Sequence, residues 1–265
     1  MRKIETILFD LDDTLIIEKQ SADESFIETI RSIDSKIDSQ EFLKAIKEEA
    51  RKLWYQLPTI EYCLNVGISS WEALWAEFIG ENINLKQLYN LADEYQFSAW
   101  NNALIRFNIH NLKLAGELRK KFKKIRNSKH KLYPETIEVL EQLKLFYQLG
   151  LITNGAPDIQ WKKINGSMLK DYFDCIIISA EHGFGKPDTR LFQIAIEKLK
   201  SAGENTIMVG NSLDTDIKGA QNAGIRTIWI NRENKVKAYE EIHPDFETDN
   251  LLKIIEILAE NQTKL

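Results

Sequence analysis

Cysteine is scarce in this sequence. Cys63 and Cys175 are the whole complement, they lie far apart, and they show no metal-ligand spacing. Neither a disulfide framework nor a cysteine-based metal site is expected, and a reducing cytoplasm is the natural compartment. Long apolar runs are absent as well: none approaches the ~20 residues that span a bilayer. The apolar stretch at residues 4–9 is short and runs straight into acidic residues, so it reads as a strand and not as a signal peptide. Positive charge is not in excess. The formal net charge of −5 gives no global attraction to nucleic acid or to an anionic membrane. Repeats and low-complexity tracts are missing too. The one charge run, Arg119, Lys120, Lys121, Lys123, Lys124 and Arg126, reads as the solvated face of a helix, with a phosphate-attracting rim as the alternative.

What remains is an ordinary globular composition, 43% hydrophobic and 28% charged over 265 residues. That length has room for one large domain or two modest ones and buries a sizeable core without staples. Two textures alternate along it. Short apolar strands are predicted at residues 4–9, 149–152, 175–178, 206–209 and 227–230, separated by helices marked by Leu191, Ala195 and Leu199 and by Ile217, Ala220 and Ala223. Strand–helix alternation with nearly continuous apolar strands implies an α/β fold with a parallel sheet and helices on both faces. Residues 21–127 differ. Phe26, Ile30, Ile33 and Ile37 recur at helical spacing, as do Phe42, Ile46, Ala50, Leu53 and Leu57, and Leu112, Ala115, Leu118, Phe122 and Ile125. Trp71, Leu74, Trp75 and Phe78 make a further stripe, with Ser69 and Glu72 spaced as a capping box. The expected organisation is therefore an α/β core of residues 1–17 and 130–265 interrupted by an all-helical insert of residues 18–129. Tyr133–Pro134–Glu135 restarts the core at a helix start.

Four short segments carry the candidate chemistry, each just after a predicted strand, where an open parallel sheet binds its ligands. Asp10–Leu11–Asp12–Asp13–Thr14–Leu15 puts two carboxylates two residues apart, which repel unless a cation lies between them or one is protonated. One can attack phosphorus while a divalent ion bridges it to the phosphate, and the other can shuttle a proton to and from the leaving group. A turn rich in acids for capping gives the same composition. Thr153–Asn154–Gly155 offers a hydroxyl, a carboxamide and backbone amides for phosphate oxygens, or an ordinary strand-to-helix turn. In Gly185–Lys186–Pro187–Asp188, Lys186 can neutralise a nucleophile and a phosphate, or be an exposed lysine at a helix entry. Gly210–Asn211–Ser212–Leu213–Asp214–Thr215–Asp216 supplies oxygen ligands suited to magnesium, or a helix cap from Asn211 or Ser212.

Together these segments resemble the motifs of the haloacid dehalogenase superfamily, in its phosphatase branch. Asp10-Leu-Asp12-x-Thr14-Leu15 is similar to the first, Thr153-Asn154-Gly155 to the second, Lys186-Pro187-Asp188 to the third and Gly210-Asn211-Ser212-Leu213-x-x-Asp216 to the fourth. The resemblance also takes in Asp171–Tyr172–Phe173–Asp174 and residues 220–224. It implies a Rossmann-like three-layer sandwich with a parallel central sheet and an all-helical cap domain. It further implies Asp10 as nucleophile, Asp12 as general acid/base and Lys186 as charge stabiliser. Thr14, Thr153, Asn154 and Gly155 join Lys186 in binding the substrate phosphate. Mg2+ would be held by Asp10, the Asp12 carbonyl, Asn211 and Asp216. The substrate it implies is a small phosphorylated metabolite such as a nucleotide or sugar phosphate, with no nucleic acid and no membrane as partner; the oligomeric state is not readable. Asn211 departs from the family, which usually has aspartate there, and so weakens the expected metal affinity. Asp214 is an extra carboxylate nearby. Asp12 argues against the dehalogenating branch, which lacks it. A phosphomutase would share every core motif, and a catalytically weak binding protein of the same fold is the reading that Asn211 favours. Trp54, Trp71, Trp75 and Trp100 are read first as core and second as a stacking surface for a base or sugar ring.

Overall fold

The computed structural model describes residues 3–33, 37–235 and 241–263. The chain divides into two compact units: Met1–Ile17, Leu132–Thr153 and Met168–Leu265 form the first, and Glu18–Lys131 with Asn154–Ser167 the second.

In the first unit, six parallel strands among the described residues make one sheet in the order β3-β2-β1-β4-β5-β6. They are β1 (Thr6–Phe9), β2 (Gln148–Thr153), β3 (Cys175–Ile178), β4 (Thr206–Gly210), β5 (Arg226–Ile230) and β6 (Phe246–Thr248). Buried side chains along both faces of β1 and β4 require cover on both sides, as parallel sheets do. One face packs Leu8, Ile152, Ile177 and Met208 against Leu191, Phe192 and Ala195 of α9 (Thr189–Lys198) and Ala220 of α10 (Lys218–Asn222). The unit's other helices are α6 (Thr136–Lys144), α8 (Ser179–His182) and α11 (Leu252–Thr263). This is the expected Rossmann-like α/β fold. The five predicted strands are all present. β6 was not predicted because three residues, Phe-Glu-Thr, on the sheet edge with one buried side chain carry no periodic signal. Phe9 lies opposite both Leu151 of β2 and Val209 of β4 in the ladder register, so the ends of the three central strands are level.

The second unit is helical: α1 (Glu18–Ile30), α2 (Ser39–Trp54), α3 (Ile60–Val66), α4 (Ile83–Arg106), α5 (Leu112–Arg126) and α7 (Pro157–Gly166). Side-chain caps start several of them; Asp38 accepts from the amides of Gln40 and Glu41, and Asn111 accepts from that of Leu114. Phe26, Phe42, Trp100 and Phe122 stack in its core. Trp54, Trp75 and Trp100 are fully buried and Trp71 is half-buried, so core is the role of the first three. The stripe from Phe26 to Ile37 ends as helix at Ile30, and residues 34–36 lie outside the described ones.

Two expectations change here. The stripe Trp71–Phe78 is not an α-helix but a single 3-10 turn, Glu72–Leu74. Ser69 and Glu72 make half of a capping box: the Glu72 amide donates to Ser69 Oγ at 3.3 Å, while Ser69 Oγ itself donates to Glu72 Oε2 at 2.7 Å. A helix cannot follow, because the Asp158 carboxylate takes the amides of Glu77 and Phe78 at 2.8 and 3.0 Å and Phe78 is left-handed. The basic run of α5 is also only partly solvated. Lys120, Lys121 and Lys124 are exposed, but Arg119 pairs with Asp93, Lys123 with Glu77, and Arg126 is fully buried. Arg126 donates to Glu18 at 2.6 Å and lies 4.8 Å from the Trp75 ring centre. Lys163, also fully buried, pairs with Glu72 at 2.7 Å and Glu18 at 3.4 Å, which ties α7 to the helical unit.

Candidate active site

The level ends of β1, β2 and β4 deliver the candidate residues of the first unit to one place. The Asp10 amide continues the ladder by donating to the Val209 carbonyl at 2.9 Å, so the residue is held by β4 before its side chain is used. The chain then turns sharply. The amides of Leu15 and Ile16 both return to the Leu11 carbonyl, and Asp13 takes a left-handed conformation at φ 58° while its amide donates to the Ile16 carbonyl. The turn brings Thr14 back, fully buried, to donate from Oγ1 to Asp10 Oδ2 at 2.9 Å.

Lys186 enters from the loop ahead of α9, whose start is set by the Asp188 side chain capping the Arg190 amide. In a buried position its ammonium contacts Asp10 Oδ1 at 2.6 Å, Asp216 Oδ1 at 2.7 Å and the Ile152 carbonyl at 2.8 Å. The exposed-lysine reading of Lys186 therefore falls. Asp216 arrives from the loop after β4 and is 1% exposed. The Ser212 amide donates to its Oδ2 at 3.0 Å. Gly210 is required there, since a Cβ would stand 2.4 Å from that same oxygen. Ser212 also caps the following turn by accepting from Thr215, so capping and acid placement are done by one loop. Asn211 is half-buried with its Oδ1 3.5 Å from Thr14 Oγ1, and Asp214 is exposed.

Electrostatics single out Asp10. Burial pushes its carboxyl up to about 7; Lys186 works against this, while Asp216 and Asp12 push it further up. Burial alone would lower Lys186, but the Asp10 and Asp216 carboxylates hold it above the ordinary lysine range. Three acids against one close ammonium leave an excess of negative charge in a low-dielectric place. Among the described residues no three His, Cys, Asp or Glu side chains gather as a metal cluster. A cation here would draw on amide and backbone oxygen as well as the carboxylates of Asp10 and Asp216. Such an all-oxygen set fits a hard divalent ion and no soft one.

Asp12 is half-buried on the same turn, and Thr153 is fully buried at the end of β2, next to the Ile152 carbonyl that Lys186 uses. Asn154 and Gly155 belong to the helical unit. There the Gly155 amide donates to the Val66 carbonyl at 3.2 Å, and Gly155 has φ 139°, a conformation open to glycine. Sequence reasoning missed the Ile152 carbonyl, the Ser212 amide and the fit of Gly210 to Asp216. The first two are backbone groups with no residue-type signal.

Comparison with known proteins gives the family and the fold. Residues 4–224 match the model of the haloacid dehalogenase-like hydrolases. The chain belongs to that family. It is 31% identical over 249 residues to the phosphoserine phosphatase of Thermus thermophilus, covering 94% of this chain and 96% of the relative. It is 27% identical over 269 residues to the N-acylneuraminate-9-phosphatase of Mus musculus, covering 100% and 98%. Among solved structures, the HAD-hydrolase YfnB of Bacillus subtilis superimposes with a TM-score of 0.66 at 24% identity over 97% of this chain and 99% of that one, which shows the shared fold. With these phosphatases as family relatives, the enzyme is a phosphoric monoester hydrolase. No helix among the described residues is long and apolar enough to cross a membrane.

Proposed function

We propose that the enzyme hydrolyses a small soluble phosphomonoester through an aspartyl-phosphate on Asp10, with Mg2+ as cofactor. The observation that carries this reading is the buried Asp10–Lys186–Asp216 trio at the level ends of β1 and β4. Asp10 is the nucleophile. Thr14 and Lys186 each hold one of its carboxylate oxygens, which fixes the direction of attack. Attack forms the Asp10–phosphorus bond and breaks the bond from phosphorus to the leaving alcohol, which takes its proton from Asp12. Asp12, now ionised, takes a proton from water as that water attacks phosphorus, releasing inorganic phosphate and restoring Asp10. Lys186 offsets the charge that builds on the phosphoryl oxygens, and Thr153, Asn154 and Gly155 bind those oxygens. Asp10, the Asp12 carbonyl, Asn211 and Asp216 would hold the magnesium ion, which supplies positive charge for the carboxylate and phosphate oxygens.

The relatives support a small substrate, since their names cover phosphoserine, N-acylneuraminate 9-phosphate and glyceraldehyde 3-phosphate. The solved YfnB is described as bound to magnesium, which supports the cofactor. In this reading residues 18–129 form a cap that selects the substrate, and the two buried free cysteines fit a cytoplasmic setting. The test is hydrolysis of para-nitrophenyl phosphate with and without Mg2+, with Asp10→Asn as control. Magnesium-dependent release that the substitution abolishes is expected. Release that persists in Asp10→Asn would overturn the assignment. A sugar phosphate as second substrate separates released inorganic phosphate from transfer within the sugar, the outcome a phosphomutase would give.

A further inference from the structure

The segment of residues 211–216 after β4 holds two of the proposed metal ligands, and the bonds that fix Asp216 do not account for Asn211. Asp216 is fixed by the Ser212 amide and Lys186. The contact that holds the Asn211 backbone comes from the next strand: Trp229 Nε1 donates to the Asn211 carbonyl at 3.0 Å. Trp229 sits in β5 opposite Gly210, the last pair of the β4–β5 ladder. Its ring is 2% exposed and packs on Ile217 and Ile242, with Leu213 against the same cluster. One side chain therefore supports the loop from beneath and pins the carbonyl of the residue whose amide oxygen faces Thr14. Tryptophan is suited to both tasks, being a large apolar ring with a single donor and no acceptor.

We infer that Trp229 is a positioning residue for the divalent cation, setting the Asn211 amide where it can reach the ion. This rests on the proposed magnesium site and adds to it a residue that touches neither metal nor substrate. An amide oxygen binds a cation more weakly than a carboxylate does, so correct placement counts for more at Asn211 than it would at an aspartate. Loss of an outer partner of a metal ligand typically costs about 10–100-fold in metal affinity.

The test is Mg2+ binding to the full-length chain by calorimetry, with no substrate present, for wild type and Trp229→Phe. The phenyl ring keeps most of the apolar contact and removes the donor. The expected result is Mg2+ affinity weakened about tenfold, with the thermal midpoint of the metal-free protein nearly unchanged and kcat at saturating Mg2+ within about twofold. Trp229→Leu, which also lacks a donor, must show the same loss, and it serves should the phenylalanine variant fold poorly. Unchanged affinity in a folded variant would overturn the inference while leaving the magnesium reading intact. Failure of the wild type to bind Mg2+ would overturn both.

Discussion

Two clusters of buried charge among the described residues are built on opposite principles. In the helical unit, Glu18 and Glu72 meet Arg126 and Lys163, two anions against two cations, all nearly inaccessible. In the α/β unit, Asp10 and Asp216 share Lys186 with Asp12 close by, and negative charge is in excess. Burial of ions is costly in both. The first cluster answers it by matching charges and acts as an internal fastening between α1, the turn at Glu72, α5 and α7. The second leaves the mismatch in place, and Asp10 is pushed up to about 7 as a result. Such unbalanced acids are what a phosphate-handling site with a divalent ion needs. A balanced cluster is a matter of fold; an unbalanced one at strand ends is a matter of function.

Substitutions separate the two. Asp10→Asn should lower kcat by roughly 10^3-fold or more while leaving thermal stability equal or higher, because it removes a buried carboxylate that its surroundings do not balance. Parallel rate and melting measurements check this, and a variant that unfolds would blur the contrast. In the helical unit, Arg126→Met should cost about 3–5 kcal/mol of stability, since it leaves the buried carboxylates of Glu18 and Glu72 with Lys163 as their shared cation. Thermal unfolding would show a fall in midpoint on the order of 10 °C. A midpoint within about 2 °C of the wild type's would mean that the cluster is not a fastening.

The pH dependence sharpens the comparison. The folded-state Asp10 carboxyl, at about 7, lies above its ordinary value of 3.8. The folded protein thus binds this proton more tightly than the unfolded chain does. Its stabilising contribution is complete below pH about 4 and is lost as pH rises through about 7. In chelator-containing buffer the wild type should lose stability over that window relative to Asp10→Asn. Melting curves from about pH 4 to about pH 8 test it, and superimposable profiles would mean that Asp10 is not held protonated by its surroundings. The smallest effect expected is that of Asn211→Asp, a Mg2+ requirement lowered by up to about tenfold as one carboxylate is added. An unchanged magnesium titration would contradict a metal-facing role for Asn211.

Much of the α/β unit is legible in the sequence because its strands are buried on both faces and read as apolar runs, and because each candidate segment follows one of them. β6 is not legible, being three residues long. The turn at Glu72 misled for a different reason: Ser69 does accept from the Glu72 amide as a cap would, but Asp158, distant in sequence, competes for the amides that a helix would use. In the same way Arg126 belongs to a run of basic residues whose spacing suggests solvent, and its partner Glu18 lies across the helical unit. At the site, residue types pointed to Asp10, Lys186 and Asp216. The Ile152 carbonyl, the Ser212 amide and the Trp229 contact depend on register and loop shape, which side-chain identity does not encode.

In the proposed reaction Asp10 carries the phosphoryl group, and the decisive measurement is to trap that intermediate. Asp12→Asn slows the return of the phosphoryl group to water, and para-nitrophenyl phosphate needs no acid to release its leaving group, so the intermediate should accumulate. Quenching with borohydride reduces an aspartyl-phosphate to homoserine, which peptide mass spectrometry places. Homoserine is expected at position 10 and nowhere else. Turnover in the wild type with no reducible adduct at Asp10, or with the adduct on another residue, would contradict it.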